Sequence, residues 1–279
     1  MPRLPIDQLE ERYQRAPRRL FIVDYEGTLA SWGSPKSIIV TTPQRAITTL
    51  TELTEDPRNI VYVMSARMPE EMERLFSRVP DVGLIAENGC FVREPHQEEW
   101  LMLTNQERTA AWKDGVGHIL AYYQERADGS WIERRHCSLV FHHSSAEDQH
   151  AAARLASECA GHINDACANQ GIHALLIDGA LVVEPAGTNK ASAAEAAWQD
   201  IVRTAATDEG KERPSFLLVI GDGRDDECVF RWANKLEQKG GIEYAMTVTL
   251  GSRSTEAKAA LTQGVTGEFP LIYTMNRRG

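Results

Sequence analysis

The sequence predicts an α/β fold: a mainly parallel sheet flanked by helices and interrupted by an inserted α+β cap. Three observations carry that prediction. Before Trp100, apolar runs of strand length alternate with helical patterns. After Trp100 the texture changes to long helical patterns and short strands with a hairpin turn signal. From Pro185 onward the strand–helix rhythm returns. Strands alternating with helices build βαβ units and a parallel sheet, whereas helices beside hairpins build an α+β layer.

Residues 6–15 read as a short amphipathic helix, with Leu9 and Tyr13 four residues apart on one face. Strand-like runs follow at 20–23, 60–64 and 83–86, separated by helical patterns at 42–54 and 69–76. In the second region, 105–126 is a helical pattern, 131–142 is strand-like, and 146–170 is a second long helical pattern. Two short strands, 174–177 and 180–183, are joined by Asp178-Gly179, a strong hairpin turn signal. The last region opens with a helix from Lys190 and continues with strands at 215–220 and 245–250. The resulting organisation is a core over 1–104, a cap over 105–184 and a second core segment over 185–279.

Composition narrows the function classes. Apolar content of 42% and charged content of 25% are ordinary globular values, so a folded chain is expected. The formal charge of −10, from 30 basic and 40 acidic residues, disfavours a nucleic-acid or anionic-membrane surface. No apolar run reaches the ~18 residues that a membrane span needs. The N-terminus, Met1-Pro2-Arg3-Leu4-Pro5, has no apolar signal core. Five irregularly spaced cysteines without a CxxC pair support neither a disulfide framework nor a zinc site, and a reducing, cytoplasmic setting fits best. His142, His143 and His173 read as ordinary strand residues, none with a partner at metal-ligand spacing.

Four segments at predicted strand ends carry chemistry. Asp24, in Asp24-Tyr25-Glu26-Gly27-Thr28-Leu29, follows the apolar run 20–23, which places its carboxylate at the carboxyl edge of the sheet. Ligands bind at that edge in open α/β folds. A turn or helix-cap role for Asp24 satisfies the same local pattern. Ser65, in Ser65-Ala66-Arg67, offers a hydroxyl to a phosphoryl oxygen, or simply caps the next helix. Lys190 opens a helix and can neutralise a nucleophile and a phosphate, or stand solvated. The run Gly221-Asp222-Gly223-Arg224-Asp225-Asp226-Glu227 suits a hard, oxygen-seeking cation such as Mg²⁺, and also suits an acidic helix start.

The order Asp, Ser, Lys, acidic cluster, each at a strand end, resembles the haloacid dehalogenase superfamily of aspartyl phosphatases. The match tightens to the trehalose-6-phosphate phosphatase family on residues 20–29, 64–67, Ala86-Glu87-Asn88-Gly89-Cys90-Phe91 and 185–190, and extends over roughly 19–264. The texture looks fungal. The resemblance implies a Rossmann-like core with a cap. It also implies Asp24 as nucleophile and metal ligand, and position 26 as general acid and source of a backbone carbonyl for the metal. Ser65 and Lys190 would hold the phosphoryl group, with Asp222 and Asp226 completing a Mg²⁺ site. Arg67, Glu87, Asn88, Glu133 and Arg135 would contact the substrate, trehalose 6-phosphate, with trehalose between core and cap.

The departures from the family fall on functional positions. Glu26 replaces the acid Asp, and Ala66 replaces the Gly of Ser-Gly-Arg. Carboxylates are missing at Gly223 and Cys228, and Asn88 stands where His is frequent. In the cap, Glu-x-Lys appears as Glu133-Arg134-Arg135, His-Tyr-Arg as His142-His143-Ser144, and a sugar-binding Glu as Val182. An extra methylene misplaces a group that must deliver its proton within a fraction of an ångström. A sugar pocket that loses a polar partner loses discrimination sharply. The expectation is a regulatory, weakly active or inactive domain of the trehalose synthase complex, binding other subunits and possessing a residual Mg²⁺ site. The start at Met1 reads as an excised C-terminal domain of a larger subunit. Two alternatives stay open: an active Mg²⁺-dependent trehalose-6-phosphate phosphatase that tolerates Glu26, and a phosphatase of another sugar phosphate.

Overall fold

The computed structural model describes residues 4–30, 43–177, 179–208, 210–251 and 253–261. Helix α1 (Ile6–Arg15) leads into strand β1 (Arg19–Asp24). Then follow α2 (Gln44–Glu55), β2 (Asn59–Met64), α3 (Pro69–Phe76), β3 (Gly83–Ala86), β4 (Phe91–Arg93) and β5 (Leu101–Met102). The inserted segment contributes α4 (Gln106–Gln124), β6 (Trp131–Arg134), β7 (Leu139–His142), α5 (Gln149–Ala166), β8 (Ile172–Ile177) and β9 (Ala180–Pro185). The chain closes with α6 (Lys190–Thr207), β10 (Phe216–Gly221), α7 (Glu227–Gln238), β11 (Tyr244–Leu250) and β12 (Ala259–Leu261). Two compact units result: the described parts of Met1–Leu101 with Asn189–Gly279, and Met102–Thr188. Among the described residues, no helix is long and apolar enough to cross a membrane.

In the first unit eight strands run in the order β12-β11-β10-β1-β2-β3-β4-β5. Strands β1, β2 and β10 are buried along their whole length, which is why they read as unbroken apolar runs. Strand β1 pairs in parallel with β2 on one side and with β10 on the other, so the strand order reverses direction at β1. Such a switch point opens a crevice at the carboxyl ends of the strands. The register sets Asp24 opposite Met64 and Val23 opposite Ile220, which brings the segments after β1, β2 and β10 to one edge. At the other end of β1, the fully buried Arg19 guanidinium donates to Tyr13 O (2.8 Å), Asp56 (3.0 Å) and Asn59 (3.1 Å), with the Tyr13 ring 3.8 Å away.

The second unit is a four-stranded antiparallel sheet, order β6-β7-β9-β8. One face, with Leu139, Phe141, Leu181 and Val183, packs on Trp112 and Leu120 of α4 and on Ala156 and Ile163 of α5. Burying each of these larger side chains contributes roughly 1.5–3 kcal/mol.

The structure corrects several sequence expectations. The mainly parallel sheet is as expected, with β4 added antiparallel to β3 at one side; the other differences are local. The stretch 131–142 is two strands, β6 and β7, with Arg135 N donating to Ser138 O (3.1 Å) at the turn. The helical pattern 146–170 begins only at Gln149, where Asp148 accepts from Ala151 N, and ends at Ala166. Strands β8 and β9 pair along their length, with Ile177 opposite Ala180, while Asp178 of the expected turn lies outside the described residues. Thr42 of the second helical pattern and residues 262–264 of the family resemblance also lie outside them.

Candidate functional site

The carboxyl end of β1 delivers Asp24 into a buried charge cluster. Lys190, the first residue of α6, donates through Nζ to Asp24 Oδ1 (2.7 Å) and Asp226 Oδ1 (2.8 Å), and pairs with Asp225 Oδ2 (2.6 Å). Asn189 caps the helix that carries this lysine, accepting from Ala191 N (2.9 Å) and Ser192 N (3.0 Å). Gly223 N donates to Asp226 Oδ2 (2.8 Å). A β-carbon on Gly221 would lie 2.4 Å from that same oxygen, so the strand must end in glycine there. Gly89 has a similar role: with φ of 95°, its added β-carbon would meet Asn189 O at 2.2 Å. The turn holding Gly89 therefore packs directly on the backbone that presents Lys190.

The electrostatics show an excess of negative charge. Burial, and then the neighbouring Asp226, push the Asp24 carboxyl well above its ordinary range, with Lys190 acting in the opposite direction. Asp226 is also raised, by burial against the pull of Lys190. Burial acts to lower Lys190, but Asp226, Asp24 and Asp225 outweigh it and raise its value, so the ammonium stays charged. One ammonium faces several carboxylates. Carboxylate oxygens of Asp24, Asp222 and Asp226 lie within 4.8 Å of one another. An all-oxygen, convergent and undercompensated set of this kind fits Mg²⁺.

Glu26 is turned elsewhere. The loop after β1 closes through Gly27, whose N donates to Ala30 O (2.7 Å) at φ 79°, and Tyr25 N donates to Met64 O (3.0 Å). Above this turn Glu26 Oε2 accepts from Ser65 Oγ (2.8 Å) and Oε1 accepts from Arg67 Nε. Arg67 N in turn donates to Ser65 Oγ (3.0 Å), and Arg67 Nη1 donates to Glu71 (3.2 Å). The Glu26 side chain thus joins Ser65 and Arg67, not the three-carboxylate group. Glu87 and Asn88 adjoin this loop by backbone, through Glu87 N to Arg67 O (2.7 Å) and Asn88 N to Ser65 O (3.3 Å). Both hold left-handed backbone, φ 46° and 53°, a strained conformation for side-chain-bearing residues.

Glu133 and Arg135 lie in the second unit, bound to each other. Arg135 donates through Nε and Nη2 to the two Glu133 oxygens (2.8 and 3.1 Å), and His142 Nε2 lies 2.8 Å from Glu133 Oε2. Trp131 stacks on His142 at 3.9 Å. Burial acts to raise Glu133, but His142 and Arg135 together hold its carboxyl at about 2. Val182 pairs with Val140, which pairs with Glu133, so an apolar residue shares that row.

Two further residues shape the site. Asp225 is a third partner of Lys190, and the acidic run was its only sequence signal. Arg253, beyond β11, donates to Gly223 O (2.6 Å) and pairs with Glu227 (3.1 Å), clamping the acidic loop. No local motif marks it.

Comparison with known proteins places these features in a lineage. The trehalose-phosphatase family model matches residues 22–264. A Schizosaccharomyces pombe protein named as a 100 kDa subunit of alpha,alpha-trehalose-phosphate synthase is 32% identical, over 99% of this chain and 30% of its own length. The trehalose-phosphatase of Zygosaccharomyces rouxii is 31% identical, over 94% of this chain and 31% of its own. The chain therefore spans about 30% of the length of these curated relatives. Among solved structures, the C-terminal domain of Candida albicans trehalose-6-phosphate phosphatase superposes with a TM-score of 0.79 at 26% identity, covering 100% of this chain and 99% of that one. The C-terminal domain of the Candida albicans trehalose synthase regulatory protein shares the fold, with a TM-score of 0.77 at 22% identity and 98% coverage of both chains. The fold is a haloacid dehalogenase-type α/β core with an inserted α+β module, and the chain belongs to the trehalose-phosphatase family.

Proposed function

We propose that this chain is a regulatory trehalose-phosphatase-like domain of a trehalose synthase complex, with weak or no phosphatase activity. The observation that carries this reading is Glu26. Both of its oxygens accept hydrogen bonds, from Ser65 and Arg67, so the carboxyl is held on these two donors instead of standing free for a leaving oxygen. General acid catalysis needs that proton within hydrogen-bond reach of the reacting group and contributes about 10²–10⁴-fold to rate. The Glu133–Arg135–His142 cluster supports the same conclusion, because the carboxylate expected to bind sugar hydroxyls already accepts from its neighbours.

The metal side is retained in this reading. Asp24, Asp222 and Asp226, with the backbone carbonyl at position 26, would hold Mg²⁺, which when bound offsets charge on a phosphoryl group. Trehalose 6-phosphate or a related sugar phosphate would bind without turnover. Similarity to proteins named as synthase subunits supports the complex as partner, and five free thiols support a cytoplasmic setting. The alternative is an active Mg²⁺-dependent phosphatase acting through an aspartyl-phosphate on Asp24. The intact Asp24–Lys190–Asp226 contacts favour it, and the engagement of Glu26 opposes it.

Phosphate release from trehalose 6-phosphate in Mg²⁺ by the wild-type chain and Glu26→Asp separates the two. The regulatory reading expects traces from the wild type and partial recovery at most from the variant, since Val182 and Arg135 still alter the sugar pocket. Full turnover by the variant alone contradicts it.

A further inference from the structure

We propose that Ser65 and Arg67 form an oxyanion site which the chain fills with its own Glu26 carboxylate, so that phosphate-class ligands enter only by displacing it. This deepens the regulatory reading and rests on it for the identity of the site. Three observations support it. The Glu26 carboxylate is itself an anion seated on a hydroxyl and a guanidinium edge, the donor pair that recognises a phosphate oxygen. Ser65 is fully buried and receives Arg67 N, so its hydroxyl hydrogen is directed at Glu26 and fixed there. The Glu26 and Arg67 side chains keep 17% and 24% of their exposure, so a small ligand can reach the pair once Glu26 withdraws.

Side-chain length supplies the device, because from position 26 one glutamate carboxylate meets both Ser65 and Arg67. Glutamate has one methylene more than the aspartate usual at this position, and that length lets one carboxylate span both donors. A tethered anion competes at the high effective concentration of an intramolecular group, in the millimolar range for a short flexible link. Glu71 also holds Arg67, through Nη1, and keeps the guanidinium in place when Glu26 leaves. The expected behaviour is a domain that ignores low concentrations of phosphorylated ligand and responds only to high ones.

The test is calorimetric titration of the full chain with inorganic phosphate in Mg²⁺ buffer. Glu26→Ala removes the competitor, and Glu26→Asp retracts it while preserving charge and guarding against misfolding. Both variants should bind phosphate at least about tenfold more tightly than the wild type, the scale of one charge-assisted hydrogen bond. The gain should vanish in Glu26→Ala/Arg67→Gln. Equal affinity of wild type and both variants overturns the proposal, as does a gain that survives loss of Arg67. Full, sustained hydrolysis of trehalose 6-phosphate by the wild type overturns the regulatory reading instead, whatever the phosphate affinities.

Discussion

Replacing Lys190 with methionine removes the ammonium that contacts Asp24, Asp225 and Asp226 at 2.7, 2.6 and 2.8 Å. Methionine keeps most of the volume, so the loss is electrostatic. The Lys190, Asp24 and Asp226 side chains are at most 4% exposed, and water cannot take over the screening. Breaking a buried ion pair from one side costs about 3–5 kcal/mol. Asp24 and Asp226 already stand above the ordinary carboxylate range, and losing Lys190 raises them further. An acid whose folded value is raised favours folding below its unfolded value, and that contribution is lost as pH rises through the folded value. The deficit of Lys190→Met should therefore be larger when assayed at about pH 8, well above the ordinary carboxylate range, than at about pH 5. Mg²⁺ at a hundredfold excess over its Kd should stabilise the variant by about 2.7 kcal/mol, because the freed carboxylates take the cation. Urea unfolding with and without MgCl₂ at the two pH values measures all of this. A loss below about 1 kcal/mol at pH 8 would show that the cluster holds no uncompensated charge.

Two further outcomes concern carboxylates held by arginines. Hydrogen bonds from Arg58, and also from Arg19, hold Asp56 at about 2 against an ordinary 3.8, so its contribution is complete above pH 3.8 and is lost as pH falls through about 2. Asp56→Asn should cost about 2 kcal/mol at pH 7 in chemical denaturation, and the gap to wild type should close near the acid limit. Glu133, at about 2 against 4.5, should titrate at that low value by carboxyl NMR and move upward in Arg135→Ala. A midpoint near 4.5 in the wild type would mean that the Arg135 and His142 contacts do not persist in solution.

Much of the site could be read from sequence because of where strands end. Asp24, Ser65 and Asp222 each follow an unbroken apolar run, and a parallel sheet brings the ends of such runs to one edge. Lys190 could be read as a helix opener because Asn189 caps the helix it begins. The partners of Glu26 were beyond reach of sequence reasoning. Its contacts with Ser65 and Arg67 join residues 39 and 41 positions away, and side-chain length decides whether they form. Arg253 reaches Gly223 across 30 positions with no pattern to announce it. Strands β4, β5 and β12 have only 3, 2 and 3 residues, too few for an alternation to register. Helix α7 starts inside the acidic run and is buried through Val229, Phe230 and Ala233, a stripe too short to stand out beside the charged residues around it.

The most direct measurement is phosphate release from trehalose 6-phosphate with Mg²⁺, comparing the purified wild-type chain with its Asp24→Asn variant. A Glu26 side chain committed to Ser65 and Arg67 predicts no more than trace release from the wild type and background from the variant. Sustained turnover by the wild type that disappears in Asp24→Asn would contradict it, and would make Glu26 a working acid.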